Sequence, residues 1–226
     1  MRGVLKKDEK FYLVGYSFGA LVALELALLL EKFKYSGNIL LIDGAPLFLN
    51  ELVRQSLGEH FTDDDLYNEI FTSIAKQLSG EAQSPVKVKE EFKNLNTYEK
   101  KIMKLIEYGR ENKTFSKLYA EKMIKKMFER IKMISGSDKF EENKLLSSIT
   151  LVRPKDVSIE DIEEDYNLSK ITKGKVSVRY VDGNHISILG NSDLIAAINY
   201  FDPAKDEKIT FENYLYSAYV VESDFV

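Results

Sequence analysis

Ser17 stands between two glycines in Gly15-Tyr16-Ser17-Phe18-Gly19, a G-x-S-x-G spacing. A serine hydroxyl is a weak nucleophile until a base takes its proton, and that base is usually oriented by a carboxylate. The chain offers two histidines, His60 and His185, and no cysteine. Thiol catalysis, thiolate zinc sites and disulfides are therefore excluded. His185 follows Asp182-Gly183-Asn184 at the end of an alternating apolar run, whereas His60, in "LGEHFTDDD", has no such frame and reads as a surface residue. Two acids compete as the partner of the imidazole: Asp43, in "LLIDGAP", and Asp156, two residues past "ITLVRP".

The elements that would carry these residues can be read from periodicity. Residues 11–30 contain one charged side chain, Glu25, so a membrane span needing ~20 apolar residues has to be weighed. A carboxylate near the middle of such a helix costs ~2.5–3.5 kcal/mol, and the glycines interrupt it. No small-residue cleavage site follows Leu30, which argues against a signal peptide. Splitting the stretch gives a short apolar run, residues 10–16, suited to a strand buried on both faces. A helix follows from Phe18 to about Lys34, with Leu21, Leu24, Ala27 or Leu28, and Phe33 at helical spacing. Ser17 then lies in a sharp strand-to-helix turn whose flanking positions are small because larger side chains would collide. The N–H of Phe18 sits beside it, at the positive end of a helix dipole, to receive a developing oxyanion.

Ile39–Ile42 reads as a second buried strand ending at Asp43-Gly44. Two parallel strands joined through a helix send their carboxyl ends to one edge of the sheet, ~4.8 Å apart, so one imidazole can bridge Ser17 and Asp43. The competing reading of Asp43 is a plain turn residue. Further strands are expected at residues 149–154 and from Val176 to Val181, and a last helix over residues 192–201. The order Ser17, Asp43, His185 is the chain order of the α/β-hydrolase design. The expected fold class is α/β, with a mainly parallel sheet.

Between the second and third strands the composition changes to lysine, glutamate and helical periodicity. Helices are expected from Thr62, a candidate N-cap, through Leu66, Ile70, Ile74 and Leu78; from Leu95 to Tyr108; and from about Phe115 to Ile134. This predicts an α-helical lid over residues 58–144, inserted in a core of residues 1–57 and 145–201, with a tail of unknown role over 202–226, all in one domain. Met103, Met123, Met127 and Met133 fall in the insertion, either as helix packing or as an adaptable apolar surface for an acyl chain. The basic run Lys122, Lys125, Lys126, Arg130 and Lys132 is either a solvated face or a greeting for an acidic partner.

Three blocks together resemble the thioesterase domain of animal type I fatty acid synthases: "GYSFGALVALEL", "LLIDGAP" and "DYNLSKITKGKVSVRYVDGNHISIL". The resemblance spans roughly residues 1–200 and is concentrated in the blocks. It implies Ser17 as nucleophile, Asp43 as an acid placed early in the chain, His185 as base and Phe18 as an oxyanion donor. Leu47 and Phe48 in "PLFL" then fall where the acyl groove begins. The implied reaction is release of a long-chain fatty acid, typically palmitate, from the phosphopantetheine arm of an acyl carrier protein through an acyl-serine intermediate. No metal or organic cofactor is called for. By the same resemblance several strands precede the elbow, whereas 16 residues precede Ser17 here. The expectation is a sheet incomplete at its amino end, without the second oxyanion donor. The alternative function is accordingly a weakly active or non-catalytic remnant that retains acyl-chain or carrier binding.

The bulk properties agree with a globular chain. Of 226 residues, 44% are hydrophobic and 30% charged, with 12 glycines and 4 prolines. A net charge of −4 and a pI near 5.5 argue against nucleic acid or anionic lipid as a whole-surface partner. The lack of cysteine permits a cytoplasmic setting.

Overall fold

The computed structural model describes residues 10–79, 84–110, 115–134, 143–156 and 162–201. The expectations for residues 1–9 and for the tail 202–226 lie outside these. The described chain divides into two compact units, one built from residues up to Asn50 and from Ser137 onward, the other from Glu51–Gly136.

The first unit is a parallel sheet. Its strands are β1 (Phe11–Tyr16), β2 (Gly37–Ile42), β3 (Ser148–Pro154) and β4 (Val176–Val181), hydrogen-bonded in the order β1-β2-β3-β4. Tyr16 pairs with Ile42, Ile42 with Val152, and Pro154 with Val181, so all four strands end along one edge. Helix α1 (Gly19–Lys32) returns the chain from β1 to β2, and α7 (Ser192–Phe201) follows β4. Side chains alternate across a sheet. Leu40, Ile42, Val152 and Val181 pack with Leu194, Ala197 and Ile198 of α7. Gly15 and Leu41, which pair and point to the other face, lie under α1, whose Ala20, Leu24 and Ala27 are completely buried. Helices thus cover both faces, the arrangement a parallel sheet requires.

Near its C-terminal end α1 carries Glu31, an acid where the helix dipole disfavours one. Its carboxylate is compensated by donors at the entry to β3. Leu146 N–H donates at 2.9 Å, Ser147 N–H at 2.8 Å and Ser147 Oγ–H at 2.6 Å. The helix is thereby tied to a strand more than a hundred residues away.

One expectation is corrected at β1. Its apolar run predicted burial on both faces, yet Val14 is 47% exposed, and Val22 of α1 and Phe33 just past its end are open as well. The reason is topological, because β1 is one of the two edge strands of the sheet among the described residues.

The second unit is helical. Helix α2 (Pro46–Leu57) leads into it, and α3 (Asp63–Ser79), α4 (Pro85–Lys93), α5 (Tyr98–Tyr108) and α6 (Lys117–Ile134) share a core of their own. Leu66, Ile70, Phe71 and Ile74 from α3 meet Val88 and Phe92 from α4, Ile102 and Leu105 from α5, and Ile124 from α6. The start of α3 is a reciprocal capping box. Asp65 N–H donates to Thr62 Oγ1 at 3.2 Å while Thr62 N–H donates to the Asp65 carboxylate at 2.9 Å. Met123 and Met127 pack at the rim of this core, whereas Met103 and Met133 are exposed. The basic run of α6 is interleaved with acids: Lys125 lies 3.9 Å from Glu129, and Lys132 lies 2.5 Å from Asp63. Among the α-helices of the described residues, two have no counterpart in the sequence reading: α2, which opens with Pro46 at its first position, and the short α4.

Candidate active site

Two residues stand one step beyond paired strand ends, Ser17 after Tyr16 and Asp43 after Ile42. Both have left-handed backbones, with φ of 53° and 43°, a conformation that costs non-glycine residues ~1–3 kcal/mol. Each is held there by the next strand. Ser17 N–H donates to Ile42 O and Asp43 N–H donates to Val152 O, both at 2.9 Å. Sheet pairing thus extends one residue past the regular ladder and turns both side chains out over the same edge. Helix α1 begins at once, Ala20 N–H bonding to Ser17 O and Leu21 N–H to Phe18 O.

The glycines around this turn differ in what they do. A Cβ on Gly15 would lie 2.4 Å from Gly19 O and 2.8 Å from Ala20 Cα. One on Gly44 would lie 2.4 Å from Ser17 O. A Cβ on Gly19 would meet nothing within 4 Å among the described residues. The reading that both flanking positions are small to avoid collision therefore holds at Gly15 and is corrected at Gly19. The crowding second glycine is Gly44, beside Asp43, where the chain passes under the elbow.

His185 arrives from β4 on a loop that is hydrogen-bonded on itself. Asn184 Oδ1 accepts from the N–H groups of Ile186 and Ser187, each at 3.0 Å, and Ser187 Oγ accepts from Asn184 N–H at 2.8 Å. Tyr16 Oη–H donates to His185 O at 2.8 Å, and its ring stacks on the imidazole at 4.9 Å. The strand that leads into Ser17 therefore also holds the His185 loop.

The three side chains meet. His185 Nε2 is 3.1 Å from Ser17 Oγ, and His185 Nδ1 is 2.6 Å from Asp43 Oδ2. Asp43 is 3% exposed, and the half-buried imidazole presents its Nε2 edge to the serine. With Nδ1–H donating to the carboxylate, Nε2 is left as the acceptor for the serine proton. Ser17, His185 and Asp43, separated by up to 168 residues, stand in one hydrogen-bonded row. Asp156 is elsewhere: it is exposed at the end of β3 and its N–H donates to Gly183 O. His60 is exposed in the turn before α3.

The remaining oxygen of Asp43 is also occupied. Tyr166 Oη–H donates to Asp43 Oδ1 at 2.7 Å from a fully buried ring. Burial, then the hydrogen bond to the Asp43 carboxylate, push this phenol well above its usual pKa, so it stays a proton donor at any ordinary pH. Phe48 stacks on the ring at 3.9 Å with planes 2° apart, and the Arg153 guanidinium lies 4.6 Å from its centroid. Phe48 is 3% exposed, its ring buried against Tyr166. Leu47, half-buried on α2, is the more open of the two groove residues expected from the sequence. Tyr166, Arg153 and Tyr16 carry no nucleophilic or metal-binding signature, and sequence reasoning did not single them out.

No family model matches the chain. Among solved structures it is similar to AB3403, a four-domain nonribosomal peptide synthetase bound to AMP and glycine. That match has 16% identity over 96% of this chain and 14% of the other, with a TM-score of 0.60. The Vlm2 thioesterase domain with a bound dodecadepsipeptide matches at 15% identity over 85% and 68% of the two chains, TM-score 0.53. Human thioesterase 2 matches at 14% identity over 94% and 76%, TM-score 0.50. This chain thus spans about a seventh of the synthetase and about two thirds of the Vlm2 domain. Identities this low speak to the fold, which is α/β-hydrolase-like. Among the described residues no helix is long and apolar enough to cross a membrane.

Proposed function

We propose that this chain is a serine hydrolase of acyl thioesters. The observation that carries the reading is the continuous relay from Ser17 Oγ through His185 to Asp43, built on three ends of one parallel sheet edge. In the first half-reaction His185 Nε2 takes the hydroxyl proton as Ser17 Oγ attacks the thioester carbonyl, and buried Asp43 stabilises the imidazolium. The Phe18 N–H, at the start of α1, is assigned to the oxyanion. His185 then returns the proton to the departing thiolate, leaving acyl-Ser17. Water, deprotonated by the same imidazole, releases the acid. A thiol of pKa ~8.5 is a good leaving group, so this step asks little of the general acid.

Similarity in fold to the Vlm2 thioesterase domain and human thioesterase 2 favours thioesters over other acyl substrates. The three sequence blocks favour a long-chain fatty acyl group carried on the phosphopantetheine arm of an acyl carrier protein, hence chain termination in fatty acid synthesis in the cytoplasm. Leu47 is assigned to the substrate side. Thiol release from palmitoyl-CoA and from a palmitoyl-carrier protein, followed with a chromogenic disulfide, tests the reading. Turnover that disappears in Ser17→Ala is expected. A folded sample whose Ser17 reacts with fluorophosphonates but releases no thiol from either substrate would keep the hydrolase and discard the thioesterase.

A further inference from the structure

We propose that Tyr166 is a positioning residue that locks the Asp43 carboxylate against rotation, with Arg153 and Phe48 as its clamp. This rests on the reading of Ser17, His185 and Asp43 as one relay. A carboxylate held through a single oxygen can turn about its last side-chain bond and carry that oxygen away from the imidazole. Here each oxygen has its own donor, His185 Nδ1 on Oδ2 at 2.6 Å and Tyr166 Oη on Oδ1 at 2.7 Å. Turning the group would break both bonds in a site that is almost fully buried, where an unmatched charged oxygen is expensive.

The phenol is itself immobilised by the segment "DYNLS". Asp165 accepts from Asn167 N–H and from Ser169 N–H, both at 2.9 Å. Tyr166 and Asn167 take left-handed φ of 53° and 61°, and Leu168 is completely buried. Arg153, on β3, reaches back to this turn, its Nη1 donating to Glu163 O at 3.2 Å and Glu164 O at 2.9 Å. The guanidinium and Phe48 both press on the ring. Because Tyr166 has no accessible surface, a bound substrate does not touch it, and its influence on Ser17 runs through Asp43.

A double-mutant cycle tests this, with two readouts: the rate at which a fluorophosphonate labels Ser17, and the downfield proton resonance of His185 Nδ1–H. Tyr166→Phe should slow labelling about tenfold and move the resonance. In the Asp43→Asn background the same change should leave the labelling rate unaltered. Equal slowing in both backgrounds, or a parental rate with an unmoved resonance, overturns the proposal. Should Tyr166→Phe fail to fold, Phe48→Leu takes its place: slower labelling supports the clamp and a parental rate refutes it. If Ser17 is unlabelled in the parent, the hydrolase reading fails, and the resonance in Tyr166→Phe still decides the positioning role.

Discussion

Replacing Gly15 and Gly19 separately by alanine separates steric necessity from motif membership. At Gly15 the new methyl would sit 2.4 Å from Gly19 O, 2.7 Å from Gly19 C and 2.8 Å from Ala20 Cα. All are backbone atoms of the first turn of α1, so no side chain can swing aside. Restoring ordinary contact requires about 1 Å of movement between β1 and that turn, an overpacking that costs ~1–3 kcal/mol. Ser17 lies between the two elements, and its 3.1 Å bond to His185 would stretch beyond hydrogen-bonding range. A misplacement of that size costs ~100-fold in rate. At Gly19 the methyl meets nothing within 4 Å among the described residues, and alanine removes backbone entropy from the unfolded chain, a gain of ~0.4–1 kcal/mol. Urea denaturation and the rate of Ser17 labelling by a fluorophosphonate read both effects. Gly15→Ala should lower the midpoint and slow labelling by about two orders of magnitude, while Gly19→Ala should keep or raise the midpoint. A Gly15→Ala protein with parental midpoint and rate, or a Gly19→Ala protein as damaged as Gly15→Ala, would refute the steric account of the elbow.

Three other outcomes are expected. Asp43→Asn should slow labelling by ~3–4 orders of magnitude and Asp156→Asn should leave it unchanged; the reverse pattern would reassign the acid. Glu31→Ala removes the acceptor of hydrogen bonds from three donors at the entry to β3, and should cost ~2 kcal/mol in urea denaturation; a loss within error would show that the tie is immaterial. In the helical unit Glu91 accepts from Tyr108 Oη at 2.5 Å and pairs with Lys104 at 2.7 Å. Burial works to raise the Glu91 pKa, but the Lys104 and Tyr108 bonds outweigh it and the net shift is down. Burial, then Glu91, push Tyr108 up to about 12. The Glu91 contribution is present above the unfolded carboxylate value of 4.5 and fades as pH falls through the lower folded one. The Tyr108 contribution is present below 10.0 and is lost as pH rises through about 12. Glu91→Gln should therefore destabilise most on the plateau between, by less than about 1 kcal/mol because the pair is partly solvated, as read from thermal unfolding at several pH values.

Much of the first unit was legible because its signals are local. The runs at β1, β2, β3 and β4, and the helical spacing of α1 and α7, match the observed elements to within about two residues. The meeting of Ser17, Asp43 and His185 was legible for a different reason: each follows a strand, and parallel strands deliver their ends to one edge. Exposure of Val14 on β1 was hidden, since an apolar β-branched run looks alike at the centre and at the margin of a sheet. Helix α2 is less legible, because "PLFL" reads equally well as an exposed apolar surface, although Pro46 at a first helical position is a start signal. The bond between Tyr166 and Asp43 spans 123 residues and uses a residue whose type is common in cores. Only the fold shows that its hydroxyl meets a carboxylate. For Phe48, likewise, burial against Tyr166 follows from the return of the "DYNLS" turn beneath α2, which no local pattern announces.

If His185 activates Ser17 as a nucleophile, treating the folded protein with a fluorophosphonate probe and locating the adduct by peptide mass spectrometry should give a single adduct on Ser17 that is lost in His185→Ala. No adduct on a folded sample, or one that persists undiminished without His185, would contradict it.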